Sequence, residues 1–115
     1  MSASNRLSGR TAIVTGGSQG IGRATAMQFA REGAQVVVAD VNAEAGTATA
    51  EAIADAGGTA QFVACNVADR SAVDALIEAT LEAFGTLDIL VNNAGITRDA
   101  TLKKMDAEAF RAVIE

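Results

Sequence analysis

The sequence predicts an α/β fold: three α/β/α layers around a parallel sheet of about four strands in the order 3-2-1-4. Three observations predict it. Short apolar runs alternate with helical stretches of about ten to fifteen residues, the signature of βαβ units. Each helical stretch but the last is closed by glycine: Gly33, Gly57–Gly58 and Gly85. The second apolar run, QVVVAD, is nearly continuous, as expected for a strand covered on both faces. Right-handed crossovers then set helices on both sides of the sheet and place the switch point between the first and fourth strands.

The elements follow in order. Thr11–Thr15 (TAIVT) reads as the first strand. A helix from about Gly20 to Glu32 carries Ile21, Thr25, Ala26, Phe29 and Ala30 on one side, with Arg23, Met27 and Arg31 opposite. Gln35–Asp40 is the second strand. Asn42 is placed to cap a helix running to about Ala56. Thr59–Cys65 is the third strand. Asp69 is placed to cap a helix with the stripe Val73, Leu76, Ile77, Thr80, Leu81 and Phe84. Leu87–Asn92 (LDILVN) is the fourth strand, and Asp106 is placed to cap a last helix bearing Phe110, Val113 and Ile114. The whole reads as a single domain over 1–115, with residues 1–8 as a flexible tail. An apolar fourth strand is a poor sheet edge. The final helix lacks a glycine stop and ends on Glu115, the wrong charge for a helix C-terminus. Both features predict a sheet that continues, and an exposed fourth strand and last helix through which a homo-oligomer could form.

Composition narrows the function. The net charge of −5 disfavours nucleic acid as a partner. The N-terminus MSASNRLSGR has no apolar h-region, and no run approaches the ~18 apolar residues of a membrane span, so no membrane partner and a cytoplasmic location are expected. The one cysteine, Cys65, is expected in the core, and no metal site is expected. There is no Tyr and no His, so neither a phenol nor an imidazole serves as acid or base in these residues.

The chemistry concentrates in VTGGSQGIGRA, residues 14–24. A strand, a glycine turn and a helix N-terminus together make an anion site, because unbonded N–H groups and the helix dipole both favour phosphate. The spacing is T-G-x-x-x-G-x-G: Gly16 turns the chain, Gly20 lets the backbone approach a pyrophosphate, and Gly22 lets the helix lie close to the sheet. It is not a P-loop, since Arg23–Ala24 stands where Lys–Ser/Thr would be required. Asp40 ends the second strand eighteen residues after Gly22, where a carboxylate accepts from an adenosine ribose and repels a 2′-phosphate. This is a Rossmann-like, doubly wound arrangement, and Asp40 favours NAD(H). The only basic residues close to the turn in sequence are Arg10 and Arg23.

TGGSQGIG, Asp40, Asn66–Val67 and NNAG (92–95) together resemble the short-chain dehydrogenase/reductase family, from about residue 6 to the last residue. NNAGITRD followed by LKKM is most similar to the 3-oxoacyl-(acyl carrier protein) reductases and acetoacetyl-CoA reductases. The resemblance implies that Gly16, Ser18, Gln19, Gly20, Ile21 and Gly22 surround the pyrophosphate, and that Asp40 binds the adenine ribose. It implies that Asn66 and Val67 flank the adenine, and that Asn93, Ala94 and Gly95 line the ribose side of the fourth strand. Those reductases commonly use NADP(H), so the resemblance keeps NADP(H) open while Asp40 favours NAD(H). The resemblance also implies a catalytic Ser and a Tyr with a Lys four residues later; none has a counterpart here, so no catalytic residue is assigned. The chain is therefore expected to be the cofactor-binding half of a reductase of 3-oxoacyl thioesters, inactive alone. The alternatives are a non-catalytic nucleotide-binding module and an edge-strand interaction fragment.

Overall fold

The computed structural model describes residues 6–93 and the backbone of a short strand at 101–103. The elements are β1 (Thr11–Thr15), α1 (Gly20–Arg31), β2 (Gln35–Asp40), α2 (Ala43–Asp55), β3 (Thr59–Ala64), α3 (Arg70–Phe84), β4 (Ile89–Asn92) and β5 (Thr101–Lys103). The sheet order is β3-β2-β1-β4-β5. The first four strands run parallel in the expected 3-2-1-4 order, with β1 in register between β2 (Ile13 beside Val37) and β4 (Ile13 beside Leu90).

Strand alternation sorts the core into two layers. Ile13, Val37, Ala39 and Leu90 face Val73, Leu76 and Ile77 of α3. Ala12, Val14, Val36, Val38, Ile89 and Val91 face the other way, onto Ala26 of α1 and Ile53 of α2. Every residue of β1 is buried, which accounts for its lack of polar alternation. At the amino ends of the strands, the buried carboxylate of Asp88 accepts from the Thr11 amide at 3.0 Å, and the Asp88 amide returns a bond to the Thr11 carbonyl at 2.9 Å.

Two helix stripes differ from expectation. Ile21 was expected on the buried side of α1 but is 77% exposed. Gly22 takes the sheet-facing place in that first turn, and Ile21, one residue back, projects past the end of the sheet. Met27, expected on the outer side, packs against the core with Phe29 and Ala30. On α3, Val73, Leu76, Ile77 and Thr80 are buried as expected, whereas Leu81 is 42% exposed. Cys65 is buried in the core, and burial, followed by the nearby charge of Asp69, pushes its thiol pKa up.

The fourth strand is not the bare edge that its apolarity suggested. β5 pairs with it antiparallel, Ile89 beside Lys103 and Val91 beside Thr101, so its outward N–H and C=O groups meet a neighbour. The helix expected from Asp106 lies outside the described residues. Within the stretch expected as a tail, the Leu7 amide donates to the Glu32 carbonyl at 2.8 Å, Arg6 pairs with Glu32 at 2.9 Å, and Leu7 packs on the core. No helix among the described residues is long and apolar enough to cross a membrane.

Candidate functional site

The carboxyl ends of β1, β2, β3 and β4 gather most of the residues singled out in the sequence, the position expected for a ligand site in a parallel sheet. After β1 the chain turns through Gly16, whose amide donates to the Ala39 carbonyl of β2 at 2.8 Å. Gln19 then precedes α1 in an extended conformation (φ −160°), and its side chain makes no capping bond. The first main-chain bond of the helix runs from the Arg23 amide to the Gln19 carbonyl at 3.3 Å. The amides of Gly20, Ile21 and Gly22 come before that bond and receive no side-chain cap, as an anion-binding helix start requires.

Gly20 and Gly22 show how geometry demands glycine in this turn, where Gly16 is left-handed as well (φ +67°). Gly20 has φ +61°, a left-handed conformation costly for other residues, and a Cβ there would point into open space, where a ligand could approach. A Cβ on Gly22 would collide with the Gly16 carbonyl and lie 2.8 Å from the Asn93 side-chain amide nitrogen. Only glycine at 22 lets α1 lie against the turn and the end of β4 together.

Asp40 is held by the turn itself. Its Oδ2 accepts from Ser18 Oγ at 2.6 Å and from the Ser18 amide at 3.2 Å, while Oδ1 accepts from the Asn42 amide at 3.2 Å. Burial pushes this carboxyl up, but bonds from the Ser18 hydroxyl and from the Asn42, Ser18 and Val41 amides outweigh burial and hold it below its ordinary value. The group is thus an ionised acceptor at neutral pH. Behind it, the buried hydroxyl of Thr49 on α2 lies 3.3 Å from the Ser18 carbonyl and accepts from Arg23 Nη1 at 3.2 Å.

Beside Asp40, a cleft of about 250 Å³ opens between the ends of β2 and β3, lined by Ala39, Asp40, Val41, Cys65, Asn66 and Val67. The Asn66 side-chain oxygen accepts from the Ala68 amide at 3.0 Å, so its NH₂ is the part left to face a ligand. Val67 packs its side chain against the core. On the β4 side, the Asn93 amide donates to Thr15 Oγ1 at 2.9 Å, and the Thr15 hydroxyl lies 3.0 Å from Asn92 Oδ1. Ala94 and Gly95 lie outside the described residues.

The structure therefore brings together Gly16, Ser18, Gln19, Gly20, Ile21, Gly22, Asp40, Asn66, Val67 and Asn93 at one end of the sheet. Arg10 precedes β1 and sits at the opposite end, away from any 2′-phosphate beside Asp40. Sequence reasoning missed the bond from Ser18 to Asp40 and the whole part played by Thr49. A serine in the turn, paired with an acid closing the next strand, could have pointed to the first; nothing in the local pattern marks the second.

Comparison with known proteins gives the chain's family and relatives. The family model of the short chain dehydrogenases matches residues 10–115. The chain is 49% identical over 110 residues to an uncharacterized oxidoreductase of Mycobacterium bovis, covering 94% of this chain and 43% of that protein. It is 49% identical over 111 residues to a 3-oxoacyl-[acyl-carrier-protein] reductase of Synechocystis, covering 95% and 44%. Among solved structures, a citronellol catabolism dehydrogenase of Pseudomonas aeruginosa superposes with a TM-score of 0.78 at 42% identity, over 80% of this chain and 38% of that one. The chain thus spans less than half the length of the relatives it matches.

Proposed function

The chain belongs to the short-chain dehydrogenase family, and from that premise we propose that it is the dinucleotide-binding part of an NAD(P)-dependent oxidoreductase that prefers NAD(H) and reduces a 3-oxoacyl thioester to the 3-hydroxyacyl form. The observation that carries the reading is Asp40, fixed by Ser18 between the glycine turn and the cleft. The ribose diol donates to the Asp40 carboxylate, and a 2′-phosphate there meets like charge. The amides at the start of α1 take the pyrophosphate. The adenine enters the cleft, where the Asn66 NH₂ donates to a ring nitrogen and Val67 supplies an apolar flank. Asn93, with Ala94 and Gly95 after it, takes the ribose side of β4. Two exposed large hydrophobic residues, Ile21 at 77% and Val41 at 69%, flank this path, and a dinucleotide laid along it would cover both. The substrate class rests on the NNAGITRD segment and on the name carried by the Synechocystis relative.

When bound, the nicotinamide supplies the hydride. The chain's own residues bind and orient the adenosine and pyrophosphate. They include no Tyr and no His to protonate a carbonyl oxygen, a contribution of ~10²–10⁴-fold when a placed acid makes it. Calorimetric titration tests the reading. NADH should bind, and Asp40→Ala should weaken it about 10- to 100-fold, as expected when hydrogen bonds to a charged acceptor are lost. Absence of heat and of NMR shifts with both NADH and AMP would overturn it.

A further inference from the structure

Thr49 connects three elements around Asp40. It is fully buried on α2. A threonine inside a helix ordinarily turns its hydroxyl back to its own i−4 carbonyl, here Ala45 at 3.2 Å. The same oxygen lies 3.3 Å from the Ser18 carbonyl in the glycine turn and accepts from Arg23 Nη1 of α1 at 3.2 Å. Its one proton goes to either carbonyl, and its lone pair holds the guanidinium. Ser18 in turn directs both its N–H and its O–H at Asp40 Oδ2. Arg23 starts the second turn of α1, and its guanidinium is two hydrogen bonds away from the Ser18 carbonyl, with the Thr49 hydroxyl between them. Guanidinium is the side-chain group best matched to phosphate. A cation of that kind, standing this close to the acid, would undo the acid's discrimination if it were loose.

We propose that Thr49 is a positioning residue for the nucleotide's 2′ side: its hydroxyl braces the Ser18 peptide that aims at Asp40 and engages the Arg23 guanidinium, which is then not free to turn to a 2′-phosphate. The proposal rests on the reading of Asp40 as the ribose acceptor. Thr49→Val keeps the shape of the side chain and removes every bond of the hydroxyl, to the Ser18 and Ala45 carbonyls and from Arg23. It weakens NADH several-fold through the loosened Ser18 and frees Arg23 to meet NADPH, so the NADH/NADPH preference falls roughly tenfold, the equivalent of about one hydrogen bond.

The test is calorimetric titration of the full chain with NADH and with NADPH, for wild type, Thr49→Val, Thr49→Ser and the double variant Thr49→Val/Arg23→Gln. Thr49→Ser should restore the wild-type preference. The double variant should lose the NADPH gain while keeping the weaker NADH binding, a coupling that a merely structural role for Thr49 would not produce. If Thr49→Val does not fold, Thr49→Ala, which adds no atom to the core, is read in the same way. Equal weakening of both nucleotides, or a preference unchanged from wild type, would overturn this proposal and leave the Asp40 reading standing. A wild-type chain that binds neither nucleotide would overturn that reading, and this proposal with it.

Discussion

The starts of α1 and α3 solve one problem in opposite ways. Both helices begin with amides that have no partner within the helix. At α3, Asp69 accepts from the Ser71 amide at 3.0 Å and the Ala72 amide at 3.4 Å, and the chain completes its own cap. At α2, Asn42 does the same for Ala45 at 3.0 Å. At α1 the capping position holds Gln19, whose backbone is extended as a cap requires but whose side chain bonds none of the helix amides. Two helices are closed by their own side chains, and the one at the switch point between β1 and β4 is left to be closed by something else. The lesson is that an omitted cap carries information when its neighbours are capped well.

Three substitutions break or sharpen this contrast, in descending order of effect. Gly22→Ala should be the most damaging. Its methyl collides with the Gly16 carbonyl and crowds the Asn93 amide, with a stability loss of about 3 kcal/mol, the upper part of the overpacking range, read from the denaturant midpoint. Gln19→Asp installs the missing cap. It should raise stability by about 1 kcal/mol in thermal melts while weakening NADH in titrations, because the new carboxylate takes the amides and the charge that the pyrophosphate needs.

The smallest effect is a pH dependence at α3. The Ser71 hydroxyl first, then the Ala72 and Ser71 amides, hold the Asp69 carboxyl below its ordinary value. Its cap is therefore fully present above the unfolded-state pKa and is lost as pH falls through the lowered folded value. Amide-exchange protection over residues 70–74 should drop across that acid window and nowhere above it. Asp69→Asn, which caps without titrating, should remove the drop.

The sequence revealed the β1–β4 scaffold because the apolar runs, the caps Asn42 and Asp69 and the glycine stops are local signals that agree with one another. It marked the turn and Asp40, which the fold sets side by side, because each follows directly on an apolar run that already locates a strand. It hid Thr49, since at that position a threonine reads like any small residue within α2, and its partners Ser18 and Arg23 arrive only when α1 and α2 lie side by side. It misplaced Ile21 because periodicity marks a face but not where the sheet beneath that face ends. It left β4 bare because three residues with no strong alternation, Thr101–Lys103, do not announce a strand.

The parallel run of β1 to β4 also gives the molecule two unlike poles. At one, the glycine turn, the cleft and the hydrogen-bonded Asp40 form the candidate site. At the other, Asp88 and Thr11 lace β1 to β4 by themselves, and the link between α2 and β3 at Ala56–Gly57 lies in solvent. A reporter dye, an affinity handle or a grafted loop belongs at that second pole, a full strand length from the glycine turn, where it would not compete with a ligand bound at the turn.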